Sequence, residues 1–313
     1  MEVSFHLSDP PPGVPAVSSF GGLQALRRDL FRVRLPMVNV FLLGAPGGAW
    51  VLVDAGMPGT ADLILRAARE IHGTKAPAAI VMTHGHFDHV GALSDLLRHW
   101  PVPVYAHGLE VPYLTGEAAY PFPDPSVGGV MSLLSPAFLP GPFDFRPQVR
   151  ELPAERVPHV AGWSWLHTPG HTPGHVSLWR EADRTLVVGD AFVTTPQQTV
   201  SGALLNAPMQ VEGPPPYYTP NWEEARASVR KLAALNPELA ATGHGHPMSG
   251  EPLRRELYAL ARAFDAEARP PRGWYLSHPV PTERRTAGAP DPLRTLVLGG
   301  LGAAAAAWLW LRR

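Results

Sequence analysis

The chain predicts an α/β (α+β) fold, two sheets packed face to face with helices outside, and three observations carry that expectation. Strand-length apolar runs and helical segments follow one another in mixed order, the pattern of layered α/β architecture. Apolar residues make up 45% of the 313 positions and charged residues 17%, the balance of one large domain with a substantial core. Histidine and aspartate, set among glycines, recur just after four of the apolar runs. That recurrence puts the chemistry at strand ends.

In chain order, strands are expected over 31–34, 38–43, 50–54, 79–83 and 102–106, then over 164–167, 175–179, 185–189 and 240–242. Helices are expected over 60–72, 91–100, 221–235 and 252–268. In the first helix Leu63, Ile64, Ala67, Ala68 and Ile71 form one buried face, with Thr60 as its cap. Between Tyr105 and Trp163 the alternation lapses, and Tyr113, Tyr120, Phe122, Met131, Phe138, Phe143 and Phe145 sit among prolines. A second irregular stretch, 192–218, holds Gln197, Gln198, Asn206, Met209, Tyr217 and Tyr218. Long loops beside a rigid site carry specificity, so both stretches read as lid or pocket wall. For any single aromatic in them, completing the core beneath a loop is an equal alternative. The 37 prolines crowd segments such as 9–15 and 121–147 and stiffen them, lowering the entropy lost on folding.

Composition excludes several classes of function. The formal net charge is −1 with no basic cluster in the body of the chain, which argues against a nucleic-acid partner. Cysteine is absent, removing disulfides and thiolate chemistry while leaving the compartment open. The first ten residues lack a basic head and an apolar segment of useful length, so a cytoplasmic location is expected. Residues 295–311 run without a charge between Arg294 and Arg312-Arg313, with Trp308 and Trp310 near the edge. Such a tail is just long enough to cross a bilayer. Its glycines and alanines equally suit a helix docked on its own domain or on a second subunit. The expected division is a domain over 1–280, a linker over 281–294 and this tail over 295–313.

The most informative segment is Thr83-His84-Gly85-His86-Phe87-Asp88-His89, directly after the apolar run 79–82. Neutral imidazole and ionised carboxylate suit borderline divalent cations such as zinc, and a closed structural zinc site would normally draw on cysteine. The motif therefore reads as a catalytic metal site. In an extended segment His84 and His86 project to the same side, while Asp88 and His89 lie on the following turn and reach a second position. A lone His-x-His is as readily a solvated loop. Here compatible residues recur in Thr168-Pro169-Gly170-His171-Thr172-Pro173-Gly174-His175, in Gly189-Asp190 and in Gly243-His244-Gly245-His246. Flanking glycines let the backbone turn tightly and bring such side chains close.

With these residues in order, and Asp54 after an early strand, residues 30–250 or so resemble the metallo-β-lactamase-fold superfamily of metallohydrolases. The resemblance implies a four-layer αββα sandwich with the metals at one edge between the sheets. It implies that His84, His86 and His171 hold one cation, that Asp88, His89 and His244 hold another, and that Asp190 bridges them. Asp54 matches a position that supports ligands without being one. His175 and His246 match no ligand position and are assigned either such a supporting role or ordinary surface hydrogen bonding. The implied cofactors are two divalent ions, zinc or alternatively iron or manganese. The implied activity is hydrolysis by a metal-bridging hydroxide, with Asp88 as the catalytic residue that orients or shuttles the proton.

The glyoxalase II branch places a lysine for glutathione nine residues after the bridging aspartate, where this chain has Thr199. Quorum-quenching lactonases place a tyrosine three residues after it, where this chain has Val193. The expected partner is thus a small-molecule carboxylic ester, thioester or lactone outside those two patterns. Three alternatives come from other classes. A mononuclear iron persulfide dioxygenase-like oxidoreductase uses fewer of the ligands. A diiron oxygen-reducing protein carries a flavin domain for which the roughly 70 residues after His244 leave no room. A non-catalytic metal-binding protein of the same fold usually loses ligands that are complete here.

Overall fold

Each half of the chain builds one sheet. In the computed structural model, which describes residues 20–138, 141–283 and 291–300, the first half contributes β1 (Leu23–Arg27), β2 (Leu30–Arg34), β3 (Asn39–Leu43), β4 (Val51–Val53), β5 (Ala79–Val81), β6 (Val104–Ala106) and β7 (Val149–Glu151), paired in that order. The second half contributes β8 (Ser164–His167), β9 (Val176–Arg180), β10 (Thr185–Gly189), β11 (Leu239–Thr242) and β12 (Met248–Ser249), in the order β12-β11-β10-β9-β8. Pairing is antiparallel from β1 to β4, parallel from β4 to β7, and parallel again between β10 and β11. Among them run the helices α1 (Ala61–His72), α2 (Phe87–Val90), α3 (Leu93–His99), α4 (Val111–Leu114), α5 (Val130–Leu134), α6 (Trp222–Ala234) and α7 (Gly250–Glu267).

Alternation along the strands sorts side chains into layers. Phe41, Leu43, Val51, Val53, Ala79 and Val81 meet Val176, Leu178, Val187 and Ala241 between the sheets. Leu42, Leu52, Ile80 and Met82 point the other way, against Ile64, Ala68, Leu93 and Leu96 of α1 and α3. Leu186, Val188 and Ala240 do the same against Val229, Leu232, Leu253 and Leu257 of α6 and α7. The result is the αββα sandwich.

All nine expected strands are present, and the three unexpected ones are outermost. β1 is half-buried throughout, β7 is largely exposed and β12 has two residues. Such edges carry no apolar run for a sequence to display. Thr60 is a correction: it occupies the N-cap position of α1 but accepts no bond from the helix, its hydroxyl donating to Met57 O at 2.7 Å. With φ −98° and ψ 2° rather than extended angles, its side chain turns away from the helix N–H groups. Asn221, at φ −141°, does cap α6 by accepting from Glu224 N. At the end of the segment expected as a linker, Asp291 accepts from Phe122 N and Leu293 packs with Phe122 and Tyr275 on the domain. Residues 301–313 of the expected tail lie outside the described residues. Among the described residues no helix is long and apolar enough to cross a membrane.

Candidate metal centre

The C-terminal ends of β4, β5, β8, β10 and β11 meet at one edge of the sandwich, and the candidate ligands stand in the loops that leave them. Asp54, buried and held at φ +61°, ends β4. Its Oδ1 accepts Thr83 N at 2.7 Å, and its Oδ2 accepts the Thr83 hydroxyl at 2.8 Å. Because that hydroxyl gives its proton to Asp54, His84 Nδ1, 3.1 Å away, is the donor to Thr83 Oγ1. His84 Nε2 is left bare.

The same logic repeats around the cluster. His89 Nδ1 lies 2.8 Å from Asp54 Oδ2 and turns Nε2 toward Asp190 Oδ1, 3.6 Å away. His244 Nδ1 donates to Met37 O at 2.6 Å, leaving Nε2 at 2.9 Å from Asp190 Oδ2 and 3.4 Å from Asp88 Oδ2. His171 Nδ1 lies 3.4 Å from Thr219 Oγ1, and its Nε2 stands 3.0 Å from His86 Nδ1 and 3.5 Å from Asp190 Oδ2. The outward nitrogens of His84, His89, His171 and His244 are thus tied to the scaffold while the others converge.

The convergent atoms fit divalent cations. His84 Nε2, His89 Nε2 and Asp190 Oδ1 are buried without a hydrogen-bond partner, a cost of about 1–3 kcal/mol each unless a ligand satisfies them. Ligand atoms lie within 4.8 Å of one another in three sets: His84, His86 and His171; His84, His89 and Asp190; and Asp88, His89 and His244. Burial, reinforced by neighbouring imidazoles, holds His84, His86 and His171 well below the ordinary histidine range, in the neutral form that binds metal. Burial acts against the charge on Asp190, but His244 and His89 beside it hold its carboxyl well below the ordinary range. Gly243 makes this approach feasible, since a Cβ there would lie 2.1 Å from Asp190 Oδ1.

Two further histidines part company. His175 Nε2 accepts from Asp190 N at 2.8 Å while its Nδ1 pairs with Thr168 Oγ1 at 2.8 Å. Burial pushes its pKa down to about 3, so it is a neutral brace for the Asp190 backbone. His246 stays out of the cluster, half-buried, with Nδ1 3.4 Å from Arg32.

Sequence reasoning missed two buried charges. Arg32 donates to Asn39 Oδ1 and to Gly245 O, bracing the His244 loop from behind. Glu110, after β6, is fully buried. Its Oε2 accepts Gly85 N at 3.1 Å and the Tyr120 hydroxyl, and its Oε1 accepts Thr172 Oγ1 and Gly174 N, both at 2.7 Å. It clasps the His84 loop to the His171 loop. The available signal was a lone glutamate between Leu109 and Val111. The irregular stretches divide: Tyr218 stacks on His86 at 4.3 Å, Tyr120 lies 4.7 Å from it, and Phe138 stacks on Phe87 at 5.2 Å. Phe145 instead completes the core under α1 and α3.

Residues 33–244 match the family model of the metallo-beta-lactamase superfamily, and the chain belongs to that superfamily. It is 42% identical over 265 residues to "Probable metallo-hydrolase YflN" of Bacillus subtilis (strain 168), a match covering 83% of this chain and 100% of that one. It is 32% identical over 212 residues to a "Hydroxyacylglutathione hydrolase" of Alkalilimnicola ehrlichii, covering 66% of this chain and 63% of the relative. Among solved structures, a beta-lactamase domain protein from Burkholderia ambifaria superposes with a TM-score of 0.55 at 21% identity, covering 83% of this chain and 79% of that one. That likeness is one of fold.

Proposed function

We propose that the chain hydrolyses a small carboxylic ester, thioester or lactone at a dinuclear divalent-metal centre, zinc in the first instance. The observation that carries this reading is the pair of ligand sets, His84-His86-His171 and Asp88-His89-His244, on either side of Asp190 with unsatisfied atoms turned inward. When bound, two cations acidify and hold a water and polarise the substrate carbonyl. The residues do the rest. Asp54, Thr83 and the Met37 carbonyl keep three imidazoles in the tautomer that faces inward. Asp88 is buried beside His244, and burial raises its pKa above the ordinary carboxylate value. A carboxylate so placed accepts a proton from the attacking water and returns it to the leaving group. Tyr218 and Tyr120, packed on His86, keep bulk water from the ligands. The relative named a hydroxyacylglutathione hydrolase supports a thioester among the candidates. Thr199 stands where that branch has its lysine, which disfavours glutathione itself.

Elemental analysis of purified protein, paired with a screen of ester, thioester, lactone and phosphodiester substrates, tests the proposal. The expected result is about two equivalents of metal and turnover of one of the first three classes. A single iron per chain, or metal-loaded protein inert toward all of them, would overturn it. In Asp88→Asn, turnover should fall by about 10²–10⁴-fold with KM little changed. Near-normal turnover with metals still bound would remove Asp88 from the proton path.

A further inference from the structure

Segments 125–138 and 191–211 contain no charged residue, and they meet. Met131 N donates to Gln198 O at 3.3 Å, and the backbone of Gly129 comes so near that a Cβ would lie 2.4 Å from the same oxygen. On the inside, Val127, Met131 and Ala203 pack with Tyr217 and Tyr218 over Phe87, which lies within the metal motif, and Met37, which holds His244. The two segments therefore cap the metal centre. On the outside, Val130, Leu133, Leu134, Val200, Leu204 and Leu205 are exposed, Leu133 at 69% and Leu205 at 66%. Large apolar side chains gathered in this way mark an interaction site, whereas single ones do not.

Charge and position choose the occupant. Neither segment offers a charge to complement a polar protein face or a nucleic acid. A second copy seated there would seal the cap over the site it serves. An uncharged lipid surface accepts such leucines, whose burial is favourable, and leaves the cap facing a source of apolar substrate. The uncharged run 295–311 follows Leu293, which packs on Phe122 just before the first capping segment. Val297, near the start of that run, packs against the same cluster.

We propose that the outer face of the cap docks on an uncharged lipid surface, and that the substrate carries an apolar acyl chain drawn from it. The substrate half rests on the hydrolytic reading above, and the docking half does not. The test is co-flotation of the full-length chain with phosphatidylcholine vesicles, beside Leu133→Ser/Leu205→Ser and Val200→Ser/Leu204→Ser variants. All three share the same C-terminal tail. The unmodified chain should float, and the variants' bound fraction should fall several-fold with metal content and thermal transition retained. Hydrolysis of p-nitrophenyl octanoate above its critical micelle concentration should fall with it, while hydrolysis of the acetate stays unchanged. Equal flotation of all three chains, or no flotation at all, would overturn the docking. So would a dimer that the substitutions split. Flotation lost in the variants without turnover of any ester, thioester or lactone would leave the docking standing and sink the hydrolytic reading.

Discussion

Glu110 holds together two loops that otherwise meet through the Val176 N to Thr83 O bond at 3.0 Å and the packing of their histidines. A glutamine there keeps the shape but offers one acceptor oxygen where the carboxylate offers two, and turns an amide N–H₂ toward main-chain donors at Gly85 or Gly174. Glu110→Gln should therefore cost about 2–3 kcal/mol and lower occupancy of the His84-His86-His171 position. Elemental analysis and thermal unfolding check this, and a variant with full metal content and an unshifted transition would refute it. The candidate ligands were legible in the sequence because metal binding restricts residue type, and the flanking glycines marked the tight turns. Glu110 was not, because the loop residues it joins lie 25, 62 and 64 positions away and two of those three contacts are main-chain amides. Arg32 escaped notice for the same reason, its partner at Gly245 being 213 positions distant.

Helix α6 is an element whose packing reaches the site. Its start is fixed by Asn221, which accepts from Glu224 N at 3.1 Å and donates to Val280 O at 3.0 Å. The first turn presses Ala225 against Gly170, where a Cβ would lie 2.2 Å from Ala225 N, and Ser228 Oγ donates to Pro169 O at 2.7 Å. The His171 loop thus leans on α6. Asn221→Ala should destabilise the protein by about 1 kcal/mol or somewhat more, read as a lower urea midpoint at unchanged slope. An unmoved midpoint would show that the cap carries no energy. The amphipathic face of α1 and the apolar runs of the inner strands were readable because burial on both sides imposes a pattern. The edge strands β1, β7 and β12 impose none, and Thr60 showed that a capping residue at a capping position caps only when its backbone angles allow it.

Across the whole molecule, burial of neutral histidines sets a response to acid. His72, remote from the metal centre, stacks on Trp50 with ring centroids 4.4 Å apart and planes 1° apart, and neither ring nitrogen has a hydrogen-bond partner. Burial, helped by Lys75, lowers its pKa from the ordinary 6.5 to about 4. The unfolded chain then takes up this proton more readily than the folded one, so stability present at neutral pH is lost as pH falls from about 6.5 toward 4. His72→Phe keeps the stack and should reduce that loss by on the order of 1 kcal/mol at pH 5. Thermal unfolding at pH 7 and pH 5 measures it, and identical acid losses in both proteins would rule it out.

By itself the sequence determined the mixed α/β class, the order of nine strands and the cluster of candidate ligands, because periodicity and ligand chemistry are local properties of residue type and spacing, while the αββα sandwich followed only from the resemblance those residues carry. Tertiary structure alone decided which nitrogen of each imidazole faces inward, that Glu110 clasps two loops, that His246 stands apart and that two uncharged segments cap the centre. Those outcomes depend on hydrogen bonds and packing between residues tens to hundreds of positions apart, which no window of sequence contains.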